Sequence, residues 1–464
     1  MFSKETYTKR RELLRQRVSR GGIILLPGNS EASRNYPDNA YHHRQDSNFL
    51  YFFGLKLPDL VGLLDIDEGQ DYLYGDDYSM DDIIWMGPQP SVKELGEKCG
   101  VTNTAPLAHL QEKLTLAIKK GRPIHFLPPY RAESKLKLSR WLGICVDGLA
   151  DRISIELAIA VVSLRDKKSD EEIAQLEDAC EIGYQMHTTA MKMCRPGVSE
   201  RDIAGAIEGI ALRMGEGVSF HPIVSQNGDT LHNHSHDGIL SEGRLLLVDA
   251  GAENVMNYCS DYTRAFPVSG KFSPMQKDVY NIVLAANAKA IEMARPDILY
   301  KDVHFAAVKV IVEGLIGLGL MKGNADEAVA AGAHALFMPH GLGHLMGLDV
   351  HDMEDIGEKY VGYDLETERS TQLGVSNLRM GRRLQFGMVM TDEPGIYFIP
   401  DYIAKWKKEG INTQFVNFDK LQPYFGFGGI RIEDDLLITG SGCRLLSKRR
   451  IPVTVQEIED FMRG

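Results

Sequence analysis

Residues 340–352, HGLGHLMGLDVHD, place three imidazoles in a stretch that is otherwise apolar and rich in glycine. Glycine lets the backbone approach a bound ligand closely, because it carries no side chain. The alternative for such a stretch is a phosphate-binding loop. No Lys followed by Ser or Thr comes after these glycines, however, and their spacing is not G-x-G-x-x-G. A lone buried histidine is usually a packed core residue, so the interpretation depends on what accompanies the three.

Four acidic residues accompany them, and each adjoins an apolar run typical of a buried strand. They are Asp249 after LLLV, Asp261 at the start of DYTRAFPV, Glu393 after MVMTD and Glu433 at the end of GIRIE. A buried ionised carboxylate needs a cation or hydrogen-bond donors. Any one of them alone would be read as a strand-end acid or a salt-bridge partner. Four of them beside three histidines favour a metal site.

With these motifs in order, the chain resembles the aminopeptidase P and prolidase family of pita-bread metallopeptidases. The segments that carry the resemblance are LLLVDAGAE (245–253), SDYTRAFPVSGKFS (260–273), PHGLGHLMGLDVHD (339–352), TDEPGIY (391–397) and GIRIEDD (429–435). With the helices between them they cover about 168–439, and HRQDSNFLYFFG (43–54) resembles the N-terminal domain of aminopeptidase P. The resemblance implies an α/β (α+β) chain, in which an N-terminal α/β domain precedes a pseudo-symmetric pita-bread catalytic domain.

The same resemblance implies a centre of two divalent metal ions. Its five ligands would be Asp249, Asp261, His344, Glu393 and Glu433, with Asp261 and Glu433 bridging the ions. Four carboxylates and one imidazole suit hard or borderline ions, a set that favours Mn²⁺ and also admits Zn²⁺, Co²⁺ or Fe²⁺. Family precedent points to Mn²⁺.

The activity that the resemblance implies is hydrolysis of the Xaa-Pro bond at the N-terminus of peptides. A water bridging two divalent ions would supply hydroxide near neutral pH. Glu393 would accept its proton and pass it to the leaving proline nitrogen. His351 and His232 match positions that contact the substrate or the tetrahedral intermediate, although His234 and His236 lie close enough to leave the choice of His232 open.

Three further residues match the wall of the proline pocket in this family. They are His340, Tyr397 and Arg431, and for each of them a purely packing role is an equal alternative. A close rival for the function is an Xaa-Pro dipeptidase (prolidase), and a remote one is a non-catalytic binding protein on the same fold. Creatinase-like hydrolysis of a small amidine ranks low, since that branch generally lacks this ligand set.

The domain organisation follows from the pattern of the chain. Apolar runs at 22–27, 60–66 and 124–128 predict strands of an α/β domain, and the charged stretch 163–169 predicts a boundary. We therefore assign 1–165 to the N-terminal domain and 166–464 to the catalytic domain. Inside the latter, Arg-Pro recurs at 195–196 and 295–296 after long helical patterns, and a glycine lies six residues before both Asp249 and Glu393. These repeats predict a duplicated unit.

Composition narrows the partners. The chain has 464 residues with 52 basic and 64 acidic side chains, a formal net charge of −12, which argues against nucleic acid. Six cysteines without a C-x-x-C pair predict reduced thiols. Without a signal peptide or a membrane-spanning run, we expect a cytoplasmic enzyme that acts on peptides with proline in second position. The family implies a homo-oligomer, a dimer or a tetramer.

Overall fold

The computed structural model describes residues 1–464. The chain forms two compact units: one comprises Met1–Arg165 and Met353–Tyr360, and the other comprises Asp166–Asp352 and Val361–Gly464. The short segment Met353–Tyr360, which the sequence analysis places with the catalytic domain, thus clusters with the first unit. None of the helices combines the length and the apolar character needed to cross a bilayer.

The first unit is built on a mixed five-stranded sheet with the strand order β4-β3-β2-β1-β5. Its strands are β1 (Ile23–Pro27), β2 (Val61–Asp65), β3 (Gln70–Tyr74), β4 (Asn103–Ala105) and β5 (Ile124–His125). Its helices are α1 (Lys4–Arg17), α2 (Ser47–Phe53), α3 (Met80–Met86), α4 (Val92–Cys99), α5 (Leu107–Lys119), α6 (Ala132–Leu142) and α7 (Ile155–Arg165). The three strands expected from apolar runs are confirmed as β1, β2 and β5.

Eight more helices follow along the chain; seven lie in the second unit, and most of Glu358–Val361 lies in the segment that clusters with the first unit. They are α8 (Asp170–Met193), α9 (Glu200–Met214), α10 (Pro274–Met293), α11 (Tyr300–Gly317), α12 (Ala325–Ala330), α13 (Glu358–Val361), α14 (Pro400–Glu409) and α15 (Val455–Arg463). The longest begin at reciprocal caps: Ser169 with Glu172 opens α8, and Ser273 with Gln276 opens α10. In each cap the serine hydroxyl accepts a backbone N–H while the third helical residue accepts the serine N–H.

The strands of the second unit are short and mostly buried. They are β6 (Gly217–Val218), β7 (Ile223–Ser225), β8 (Leu245–Ala250), β9 (Ala252–Glu253), β10 (Tyr262–Pro267), β11 (Val389–Asp392), β12 (Gly395–Tyr397), β13 (Gly429–Arg431), β14 (Asp434–Ile438) and β15 (Cys443–Leu445). Two three-stranded sheets, β10-β8-β7 and β11-β14-β15, form its centre, with the pairs β12-β13 and β6-β9 beside them.

The two halves of this unit repeat each other in their backbone contacts. After α8, the Gly197 N–H donates to the Leu240 carbonyl at 2.9 Å; after α10, the Asp297 N–H donates to the Leu384 carbonyl at 2.9 Å. Both residues have positive φ, +87° for Gly197 and +68° for Asp297. Each half then continues through a second helix, α9 or α11, toward its central strands. The duplicated unit predicted from the sequence is therefore present, and it gives the pseudo-symmetry of the pita-bread fold.

Candidate metal centre

The first half of the second unit places two of the acids through the register of β8 and β10. Asp249 on β8 lies directly opposite Thr263 on β10. Asp261 precedes Thr263 by two residues, and alternate residues of an extended chain share a face. Asp249, Thr263 and Asp261 therefore lie on one side of the hairpin, and all three are buried.

The second half places the other two acids in the same way. Thr391 pairs with Asp435 in β11-β14, and Gly395 pairs with Arg431 in β12-β13. Both pairs keep a single antiparallel register, which sets Glu393 opposite Glu433. The halves meet where Glu433 forms a bridge with Thr263, and the Glu433 N–H donates to the Thr263 carbonyl at 3.0 Å.

His344 joins the acids from the glycine-rich segment. Its backbone lies along β11, since the Thr391 N–H donates to the His344 carbonyl at 3.0 Å and the His344 N–H donates to Thr391 Oγ1 at 3.1 Å. The His344 Nδ1 lies 3.1 Å from the Leu345 carbonyl, an acceptor only, so Nδ1 carries the proton. The Nε2 lone pair then points toward Asp261 Oδ2, 3.4 Å away. Such a second hydrogen bond commonly orients a metal-binding imidazole.

Three of the five expected ligands converge tightly. One potential ligand atom from each of Asp261, His344 and Glu433 lies within 4.8 Å of the others, and all three residues are buried. Asp261 Oδ1 is buried and has no hydrogen-bond partner. A buried carboxylate oxygen without a donor is unfavourable, so this atom is suited to face a cation.

Besides burial, the remaining two acids, Asp249 and Glu393, raise the pKa values of Asp261 and Glu433. Burial raises the pKa of Asp261 well above its usual value, and the charges of Asp249 and Glu393 raise it further. Burial likewise raises the pKa of Glu433, with Asp261, Glu393 and Asp249 adding to the effect. The four carboxylates therefore repel one another within one cluster, and divalent cations among them would favour their ionised forms.

Arg431 is the guanidinium that pairs with a carboxylate of this cluster. It forms a buried ion pair with Asp249, and its Nε donates to Thr263 Oγ1 at 3.1 Å. The Thr263 hydroxyl in turn donates to Glu433 Oε2 at 2.7 Å. Arg431 and Glu433 thus face the same side. One guanidinium against four carboxylates leaves excess negative charge.

His340 and Tyr397 extend this network on the other side of Arg431. Arg431 donates to the Tyr397 hydroxyl at 2.8 Å, and that hydroxyl lies 2.9 Å from His340 Nε2. His340 Nδ1 donates to the Gly341 carbonyl at 2.8 Å, which leaves Nε2 as the acceptor of the tyrosine proton. Burial lowers the pKa of His340, so the neutral ring that this arrangement needs is favoured at neutral pH.

The two remaining histidines lie at different distances from the acids. His351 stacks on His344 with ring centroids 3.7 Å apart. His232 is exposed. Burial is the main cause of the lowered pKa of His340, and the charge of His232 makes a small contribution to it. His234 and His236 instead lie against His221, with centroid distances of 4.8 and 5.6 Å. Of the three histidines in TLHNHSHD, His232 is thus the one linked to the cluster.

The sequence analysis missed two residues that hold the acids in place. Thr263 bonds both Glu433 and Arg431, and Asp435 accepts the Asp261 N–H at 3.1 Å. For Thr263 a signal existed, because a polar residue two positions after Asp261 shares its face. The structure brings all ten expected site residues into one region of the second unit, and their individual roles stay predictions.

Comparison with known proteins adds independent information. The model of metallopeptidase family M24 matches residues 174–440, and that of the aminopeptidase P N-terminal domain matches residues 7–125. The chain is 32% identical to a human Xaa-Pro dipeptidase, over 96% of this chain and 90% of that one. It is 31% identical to the Xaa-Pro aminopeptidase of Escherichia coli, over 99% of this chain and 98% of that one.

A solved structure gives the same result. Zinc-substituted E. coli aminopeptidase P in complex with product superposes with a TM-score of 0.81 at 30% identity, covering 100% of this chain and 98% of the other.

Proposed function

We propose that this chain, which belongs to metallopeptidase family M24, is a metal-dependent aminopeptidase that hydrolyses the Xaa-Pro bond at the N-terminus of peptides. The observation that carries the proposal is the convergence of Asp261, His344 and Glu433, with ligand atoms within 4.8 Å of one another. Burial is the main reason why the pKa values of Asp261 and Glu433 are raised, and the charges of Asp249 and Glu393 raise them further.

The residues present fit two divalent cations, which we propose are held by Asp249, Asp261, His344, Glu393 and Glu433. Supporting this, Asp261 Oδ1 is buried without a partner, and one arginine opposes four carboxylates. Oxygen-rich donor sets with one imidazole suit Mn²⁺, which we propose as the native ion. When bound, two such ions polarise the scissile carbonyl and lower the pKa of a water, so that a nucleophile forms near neutral pH.

The side chains around these ligands would position the substrate and move its protons. Glu393, half-buried with its Oε2 3.9 Å from His340 Nδ1, would accept a proton and deliver it to the proline nitrogen that leaves. His351 and His232 would donate hydrogen bonds to the oxyanion that develops at the scissile carbonyl. A neutral His340, Tyr397 and Arg431 form one hydrogen-bonded wall, which we propose as the side of the proline pocket.

The relatives favour removal of one residue from longer peptides. The E. coli Xaa-Pro aminopeptidase matches nearly the whole of this chain, and the N-terminal match is to the aminopeptidase P domain. The human relative, at 32% identity, is an Xaa-Pro dipeptidase, so dipeptide hydrolysis is the second candidate.

Peptide hydrolysis separates the two candidates. The Mn²⁺-loaded protein should release the first residue from an Xaa-Pro-Yaa tripeptide and leave the matched Xaa-Ala-Yaa tripeptide intact. Release from the Xaa-Pro dipeptide alone, with no tripeptide cleaved, would replace the aminopeptidase by a dipeptidase.

Metal content tests the centre itself. The purified protein should bind two equivalents of Mn²⁺, and Asp261→Ala or Glu433→Ala should abolish activity, because each would remove a proposed ligand of the centre. A protein that binds no second ion under any metal supply would support a non-catalytic binding module instead.

Further proposals concern the setting of the enzyme. We propose residues 1–165 and 166–464 as its domains, the cytoplasm as its location, and a homo-oligomer, dimer or tetramer, as its assembled form. Light scattering on the full chain measures the assembly directly, and a monomer at all concentrations would contradict it.

A further inference from the structure

Beyond the acid-rich centre, a second group of possible metal ligands lies at the surface of the catalytic unit. We propose that His221, His234 and His236 form a separate site for one borderline transition-metal ion, of the class of Zn²⁺, Ni²⁺ or Cu²⁺. His221 lies in the connection between β6 and β7, and the other two lie in the segment that precedes β8. The proposed function uses none of the three.

Two ring separations in this group are close to those of imidazoles that share an ion. The centroid of His221 lies 4.8 Å from that of His234 and 5.6 Å from that of His236. With metal–nitrogen bonds of about 2.0–2.1 Å and a tetrahedral angle between them, two ring centroids stand about 5 Å apart. The two distances from His221 lie on either side of this value. The ring nitrogens of the three histidines do not all lie within 4.8 Å of one another, so side-chain rotation would have to bring them to one ion.

The hydrogen bonding of His236 prepares it as a ligand. Its Nε2 lies 3.0 Å from the Pro222 carbonyl, which can only accept, so Nε2 carries the proton and Nδ1 keeps its lone pair. A backbone carbonyl on the far nitrogen is the usual partner of a metal-binding imidazole, because it fixes the tautomer and the ring plane. Pro222 directly follows His221 in the chain, so this bond also ties the two ligand segments together.

The charge state of the group suits metal binding. Desolvation lowers the pKa of His234, and the neighbouring His221, His232 and His236 lower it further. A neutral imidazole is the form that binds a cation. Both His221 and His234 are exposed, so an ion reaches them from solvent, and water can complete the coordination.

The type of ligand determines which metal ions the surface site prefers. Three imidazoles without a carboxylate favour Zn²⁺, Ni²⁺ and Cu²⁺ over Mn²⁺, whereas the acid-rich centre favours harder ions. The surface site is thus chemically distinct from that centre. His232 lies next to the surface site, since its ring centroid is 6.4 Å from that of His234.

Equilibrium dialysis of the full-length protein against Zn²⁺, followed by metal analysis, tests the site. Wild type should bind one equivalent more than His221→Asn and His234→Asn, and dialysis against Mn²⁺ should show no such difference. His109→Asn is the matched control, because His109 is also exposed but lies on α5 of the first unit; it should bind as much Zn²⁺ as wild type.

Equal Zn²⁺ content in wild type and in both variants overturns the site, and so does an equal loss in the His109 variant. The number of ions that the variants retain reports on the acid-rich centre alone. A failure of the surface site and a failure of the proposed dinuclear centre are therefore distinguishable in one experiment.

Discussion

Thr263→Val is the substitution that most directly tests how the two halves of the catalytic unit are joined at the metal centre. The Thr263 hydroxyl donates to Glu433 Oε2 at 2.7 Å and accepts from Arg431 Nε at 3.1 Å. Thr263 is fully buried, so water does not readily replace the lost partner. Valine has nearly the same shape, so the change removes two hydrogen bonds without opening a cavity.

The size of the effect follows from these two bonds. A hydrogen bond to a charged group contributes about 1.5–3 kcal/mol, and the bond to Glu433 holds a proposed bridging ligand in its orientation. We therefore expect Mn²⁺ affinity or kcat to fall roughly 10- to 100-fold, the range for loss of a hydrogen bond to a metal ligand. Free energies of about 1.4–2.7 kcal/mol correspond to that range, so the two estimates agree.

The assay is titration of metal-free protein with Mn²⁺, followed by kcat at saturating metal on an Xaa-Pro-Yaa tripeptide. Thr263→Ser is the matched control, since it keeps the hydroxyl, and it should stay close to wild type. A valine variant within twofold of wild type in both quantities would refute the reasoning, as would a serine variant that is damaged equally.

Three other perturbations test neighbouring parts of the structure. Because burial, together with Asp261 and Glu393, raises the pKa of Glu433, metal-free wild type should lose stability as the pH rises through and above the usual carboxyl range. Metal-free Glu433→Gln should therefore melt higher than wild type at pH 8 in scanning fluorimetry while having no activity; a lower Tm would contradict this. Lys168 and Asp352 form a buried ion pair at 3.0 Å. Lys168→Met should therefore lower the free energy of unfolding by roughly 3–5 kcal/mol. Lys167→Met is the control, because Lys167 is exposed, and it should leave the stability unchanged. Tyr397→Phe removes a hydroxyl that two pocket side chains contact, and kcat/KM for the tripeptide should fall about 10-fold; an unchanged kcat/KM would argue for a packing role.

Much of the fold was predictable because its signals are local. Ser169 with Glu172 and Ser273 with Gln276 mark helix starts through contacts within four residues. The run LLLV before Asp249 identifies a strand buried on both sides, which is β8. The position of Met353–Tyr360 in the first unit had no such signal, since it depends on packing between residues far apart in the chain.

The candidate ligands were likewise visible as residue types, but the residues that hold them in place were not. An acid after an apolar strand is visible in the sequence, whereas its partner depends on which strand lies opposite. Thr263 supports Glu433 only because a single bridge connects β10 to the segment between β13 and β14. The same limit applies to TLHNHSHD, where two positions along the chain separate the imidazole near His340 from those against His221.

The register across the two halves explains why the centre needs both. Asp249 lies on β8 and Asp261 directly precedes its partner β10, while Glu393 and Glu433 oppose each other at the junctions β11-β12 and β13-β14. Neither half alone offers the donors that two cations require, and each alone would bury repelling acids without compensation. Thr263, which bonds Glu433 across the bridge, aligns one pair of acids against the other. A shift of either ladder by one residue would turn its acids to the opposite face. The site therefore depends on strand register as much as on the identity of its ligands.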